Sequence, residues 1–121
     1  MFINFSNHSS DRWPKEQREK AKEMGEEIVD IAFPNVKPEF TTQDIQNIAQ
    51  QYVEKICRMK PDVVMCQGEV TLCYCAVTLL KRKGIKVVAA TTTRKSREIK
   101  KGDSIKKIAM FKFSGFREYI A

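Results

Sequence analysis

A three-layer α/β sandwich is the fold this sequence predicts, and three neighbouring stretches predict it. Val63–Cys66 is an apolar run behind Asp62, too short for a helix. Such a run, bounded by turn signals, reads as a strand buried on both faces. Gln67-Gly68-Glu69 breaks the pattern, and a helix follows from about Glu69 to Lys83, closed by Gly84. Ile85–Thr91 supplies the next strand and completes a βαβ unit. Between Val70 and Leu80 the helix carries as polar groups only Thr71, Thr78 and the Tyr74 hydroxyl. A helix so apolar must be covered on nearly all sides. In a chain of 121 residues, a second subunit is the expected cover.

The remaining elements follow in order. Phe2–Ser6 reads as the first strand, and Asn7–Asp11 as a polar loop of turn and cap formers. Pro14 suits a first helical turn, and the helix is expected to reach Met24 before Gly25 stops it. Its sparse apolar positions place it on the surface. Glu27–Phe33 reads as a second strand, with Pro34 and Pro38 marking the loop beyond it. Thr41 or Thr42 caps a second helix, whose apolar residues Ile45, Ile48, Ala49, Tyr52, Val53, Ile56 and Cys57 follow helical spacing. Residues 92–104 hold Ile99 as their sole apolar anchor and are read as a loop, with a short crossover as the alternative. Ile105–Phe113 then forms an antiparallel last strand.

This alternation gives a single domain over residues 1–121, with a mainly parallel five-stranded Rossmann-like sheet. Right-handed crossovers favour the strand order 2-1-3-4-5. The switch point then lies between the first and third strands. Asn7–Asp11, Gln67–Glu69 and Thr91–Lys95 converge there or one strand away.

Composition narrows the function classes. No apolar run approaches the length of a membrane span, and the N-terminus lacks a signal-peptide layout, so a cytoplasmic protein without a membrane partner is expected. With one histidine and no CxxC, neither a metal site nor a cofactor is expected. Cys57, Cys66, Cys73 and Cys75 read as reduced structural thiols. Residues 1–80 carry nine Lys/Arg against twelve Asp/Glu, and residues 81–121 carry thirteen against three. That asymmetry suggests either an anionic partner for the C-terminal part or a solvated basic surface.

The convergent loops match neither GxGxxG nor a Walker A motif. They offer hydroxyls (Ser6, Ser9, Ser10, Thr91, Thr92, Thr93), amides (Asn4, Asn7, Gln67), the Gly68 backbone and the cations Arg94 and Lys95. This mixture suits a phosphodiester, with Arg94 able to bind its oxygens bidentately. His8 is either a general base for a ribose 2′-hydroxyl or a solvent-facing loop histidine. Glu69 is either a site carboxylate or a helix cap favoured by the dipole. Trp13 either stacks on a base or packs against the first helix.

Taken together, NFSNH after the first strand, the Gln-Gly-Glu turn, ATTTR at the end of the fourth strand and the terminal FKFSGFREY resemble the small stand-alone ring nucleases. These are CRISPR-associated proteins of type III systems with a CARF-like fold. The resemblance spans nearly the whole chain and implies a homodimer that binds a cyclic oligoadenylate second messenger. It also implies metal-independent cleavage by 2′-hydroxyl attack, switching off antiviral signalling, with no DNA partner. Carried onto this chain, it places Ser6, Asn7 and His8 in one ligand loop, Gln67, Gly68 and Glu69 in a second, and Thr92, Thr93 and Arg94 in a third. His8, Arg94 and Glu69 are the catalytic candidates; Ser9, Thr91 and Lys95 complete the ligand-binding set. A non-catalytic protein that sequesters the nucleotide is the alternative. A third reading is non-specific RNA binding through the basic C-terminal part.

Overall fold

The structure is a computed structural model that describes residues 1–120. The chain runs β1 (Phe2–Ser6), α1 (Lys15–Gly25), β2 (Ile28–Ala32), α2 (Thr42–Arg58), β3 (Val63–Cys66), α3 (Val70–Arg82), β4 (Lys86–Lys101) and β5 (Ser104–Glu118). A single 3₁₀ turn at Ser10–Arg12 precedes α1. The sheet order is β2-β1-β3-β4-β5, parallel except for the antiparallel β4–β5 pair. This is the predicted sandwich, with the predicted order and the predicted antiparallel edge.

The layers follow from crossover handedness. The path from β1 to β2 runs one way along the sheet, and those from β2 to β3 and β3 to β4 run the other. Right-handed crossovers therefore put α1 on one face and α2 with α3 on the opposite face. Alternation along β1 shows the division. Ile3 and Phe5 join the core under α2 and α3, with Val64, Leu72, Leu80 and Ile56. Phe2 joins Trp13, Ala21, Val63, Met65 and Val88 beneath α1. Each large side chain fully buried here stabilises the fold by about 1.5–3 kcal/mol.

Local signals set most boundaries as expected. Thr41 caps α2 in a full capping box, its hydroxyl accepting from the Asp44 N–H while the Asp44 carboxylate accepts from the Thr41 N–H. Gly84 closes α3 with φ +79°. Gly25 acts differently from expectation. It lies within α1, and a Cβ there would sit 2.5 Å from the Phe2 nitrogen. Its role is close approach of α1 to β1, and the positive φ that ends the helix falls on Glu26.

The larger correction concerns residues 92–104. They form no loop: β4 continues to Lys101, turns through Gly102-Asp103 and returns as β5 in unbroken register to Phe113. Gly102, at φ +59° in the first central position, supplies the turn chemistry of a two-residue hairpin. Beyond Thr92 this ribbon has no third strand among the described residues, and both its faces are exposed. A bulge at Thr91/Thr92 marks where the arm leaves the body of the sheet.

The covering of α3 also differs in part. Leu72, Cys73, Ala76, Val77 and Leu80 are buried, and α2 partly covers Cys75 and Leu79. Only Val70 and Tyr74, each 77% exposed, remain as uncovered large apolar side chains. No helix among the described residues is long and apolar enough to cross a membrane.

Candidate functional site

At the carboxyl ends of β1 and β3, beside β4 at the point where the arm leaves the sheet, and on the α1 face, lies a cavity of about 460 Å³. It is lined by the first loop (Ser6, Asn7, His8), by Arg12, Trp13 and Gln17, by Gln67 and Gly68, and by Ala90 and Thr92. Its size falls within the range of small-ligand sites, roughly 300–1,000 Å³. Sheet alternation explains its chemistry. Ser6 ends the same β1 face as Phe2 and Asn4, and Gln67 continues the β3 face that carries Met65. Once the apolar residues under α1 run out, the polar ends of the strands take their place.

The first loop is fixed from beneath by a polar chain. Asn4, 1% exposed, donates to the His8 carbonyl and to the Asp30 carboxylate, both at 2.8 Å. Its carbonyl oxygen accepts from the Ser6 hydroxyl at 2.6 Å. The Ser6 oxygen in turn accepts from the His8 N–H. Asp30 also accepts from the backbone and hydroxyl of Ser10 and from the Ser9 hydroxyl. Ser6 and Ser9 therefore hold the loop in shape, while the exposed side chains of Asn7 and His8 remain at the cavity.

The second turn divides its labour. The Gln67 side-chain oxygen accepts from the Ala90 N–H at 2.8 Å, which ties β3 to β4 and leaves its NH₂ for the cavity wall. Gly68 is required sterically, because a Cβ there would meet the Phe33 ring at 2.5 Å. Glu69 is the N-cap of α3, accepting from the N–H groups of Thr71 and Leu72 and from the Thr71 hydroxyl. The Thr71 hydroxyl first, then those two N–H groups, hold its carboxyl below the usual glutamate range. Its carboxylate is turned onto its own helix and does not line the cavity.

The third group of predicted residues is separated by the arm. Thr92 lines the cavity, but the Thr91 hydroxyl donates to the Gly115 carbonyl at 3.0 Å. Thr93, Arg94 and Lys95 lie on the exposed arm outside the cavity lining. The Arg94 guanidinium lies 5.9 Å from the centre of the Phe111 ring, its cross-strand partner. The cation that does line the cavity is Arg12, absent from the sequence-derived set. Gln17 was missed as well. A signal existed for it: it lies four residues before Ala21 on the inward stripe of α1, and it is 8% exposed. Trp13 packs edge-on against Phe2, with ring centres 6.1 Å apart, and still presents surface to the cavity.

Behind the Gln67–Gly68 wall lies a thiol cluster. The Cys66 and Cys73 sulfurs are 3.7 Å apart, and the Tyr119 hydroxyl donates to the Cys66 carbonyl at 2.9 Å. Hydrogen bonding from Cys66 brings the Cys73 thiol down to about 7, and its partner Cys66 is pushed far up by that same pairing and by burial. Burial also raises the Tyr119 hydroxyl. Gln67 and Gly68 border both the cavity and a smaller hollow of about 380 Å³ lined by Val70, Cys73, Tyr74, Val77 and Tyr119.

No curated protein and no solved structure gives a significant match to this chain. Residues 1–117 match the model of the Uncharacterized protein MJ1673 family, and the chain belongs to that family.

Proposed function

We propose that this protein binds a cyclic oligoadenylate and opens the ring without a metal, acting as an off-switch for type III CRISPR signalling. The observation that carries this reading is the meeting of His8, Arg12 and the Gln67 amide around one cavity at the topological switch point. The imidazole of His8 takes the proton of a ribose 2′-hydroxyl. The oxygen attacks the adjacent phosphorus and the 5′-oxygen leaves, taking a proton from water to become a 5′-hydroxyl beside a 2′,3′-cyclic phosphate, and His8 then returns its own proton to solvent. Arg12, rather than Arg94, supplies the nearby positive charge for the phosphate oxygens. Most of the rate comes from holding the reacting groups in line and stabilising charge.

A ring of several nucleotides exceeds one such cavity, so two copies share it. The hollow beyond Gln67 and Gly68 leads to Val70 and Tyr74, the uncovered apolar residues of α3, and a second copy seated there joins the two cavities. One observation favours sequestration as a second reading. With Glu69 committed to its cap and Arg94 on the arm, neither other catalytic candidate lies opposite His8.

The test is incubation with cyclic tetra- and hexa-adenylate in excess EDTA, followed by mass spectrometry. Linear products ending in 2′,3′-cyclic phosphate, lost in His8→Ala, are the expected result. Intact rings that co-elute with the protein select sequestration. If neither ring binds nor breaks, the reading fails.

A further inference from the structure

The β4–β5 arm has a feature that composition hid. Between Thr92 and Phe113 it carries eight Lys/Arg against two carboxylates. The register sorts these charges by face. Thr93, Lys95, Arg97, Ile99 and Lys101 alternate onto one side, with Lys112, Met110, Ile108, Lys106 and Ser104 as their cross-strand partners. That side holds five cations and no carboxylate. The opposite side carries Arg94, Lys100 and Lys107 together with Glu98, which stands directly across from Lys107. Ile99, Ile108 and Met110 lie between the five cations and are 37%, 38% and 55% exposed.

We infer that the cationic face of this arm docks into the major groove of B-form duplex DNA. Ten paired residues per strand give a ribbon roughly 33 Å long. A B-form major groove, about 12 Å wide, admits a two-stranded ribbon, whereas the deep, narrow major groove of A-form RNA does not. The expectation of no DNA partner came with the family resemblance; a ribbon with its charges segregated by face supports the opposite inference. A second copy of the chain fits this face less well. The acids of α1 stand beside lysines of their own helix, with Lys15 against Glu19 and Lys20 against Glu23, so α1 offers no acidic face to match. The inference is independent of the proposed ring cleavage.

The experiment measures fluorescence anisotropy of a 20-base-pair DNA duplex, the same sequence as an RNA duplex, and a single DNA strand, across a salt series. Two double variants remove equal charge from opposite faces: R97A/K106A and K100A/K107A. Both change only exposed arm positions, and circular dichroism checks that the body is folded. The duplex DNA is expected to bind tightest. R97A/K106A should weaken it on the order of tenfold at 0.1 M salt and flatten the log–log salt slope by about 1.8, while K100A/K107A leaves the slope unchanged. Equal binding of all three nucleic acids, or equal loss in both variants, would reduce the effect to diffuse charge and overturn the inference. So would no binding at 50 mM salt, or self-association that R97A/K106A abolishes, which would assign the face to a second copy.

Discussion

Asn4 and Asp30 are register partners across β1 and β2, and the Asn4 carboxamide donates to the Asp30 carboxylate at 2.8 Å. Through the other Asn4 donor and its carbonyl, the same side chain also holds the His8 carbonyl and the Ser6 hydroxyl. A buried strand residue thus sets the shape of the loop that carries His8. Asn4→Asp keeps the size, loses both donors and sets two carboxylates side by side. The resulting repulsion raises a carboxyl pKa in the folded state, so the variant's stability deficit should grow as pH rises. Urea unfolding should show a loss of about 1–3 kcal/mol at pH 7 and a smaller one at pH 5.

The contact between Gly68 and Phe33 predicts a rescue. Gly68→Ala drives a methyl group into a ring that is 5% exposed, and should cost about 1–3 kcal/mol. Phe33→Leu opens the space, so the double variant should be less destabilised than the sum of the two. Denaturant midpoints read the coupling, which should be about 1 kcal/mol or more. Strict additivity would mean that Gly68 serves another purpose.

Glu69 separates capping from catalysis. Its folded pKa is depressed, so its stabilising contribution is present above the unfolded glutamate pKa and is lost as pH falls through the folded value. Glu69→Gln should lower the unfolding midpoint modestly at pH 7, with the difference closing in acid. Ring opening should stay within about twofold of the parent, since the carboxylate lies outside the cavity lining. A hundredfold fall in rate would return Glu69 to the chemistry.

Tyr74, on the uncovered stripe of α3, tests the shared site. Tyr74→Glu adds a carboxylate to a side chain that is 77% exposed, so the fold of one copy should tolerate it, within about 0.5 kcal/mol. Under the proposed sharing of the site by two copies, light scattering should report a dimer for the parent and a monomer for the variant, with loss of ring binding. An unchanged mass would place any dimer contact elsewhere.

Much of this molecule was legible in its sequence because the relevant signals are local. Val63–Cys66, the Gln-Gly turn and the α2 stripe gave the strands, the switch point and the layers, and the switch point gave the cavity. Ser6, Asn7, His8, Gln67, Gly68 and Thr92 do line it together. The arm escaped because pattern reading depends on a buried face. The arm's returning half, Ile105–Phe113, did read as a strand, but the outgoing half, exposed on both faces with Ile99 as its sole apolar anchor, has no apolar alternation to display and reads as a loop. That error carried Arg94 and Lys95 into the predicted site and left Arg12 and Gln17 out.

Order of elements, crossover handedness and the polar ends of the strands were written in the chain, since each depends on residue type and near-neighbour spacing. Tertiary structure alone decided which side chains face the cavity and that Asp30 braces the first loop. Those outcomes rest on contacts between residues tens of positions apart, where packing and hydrogen-bond geometry choose among roles that residue type leaves equally open.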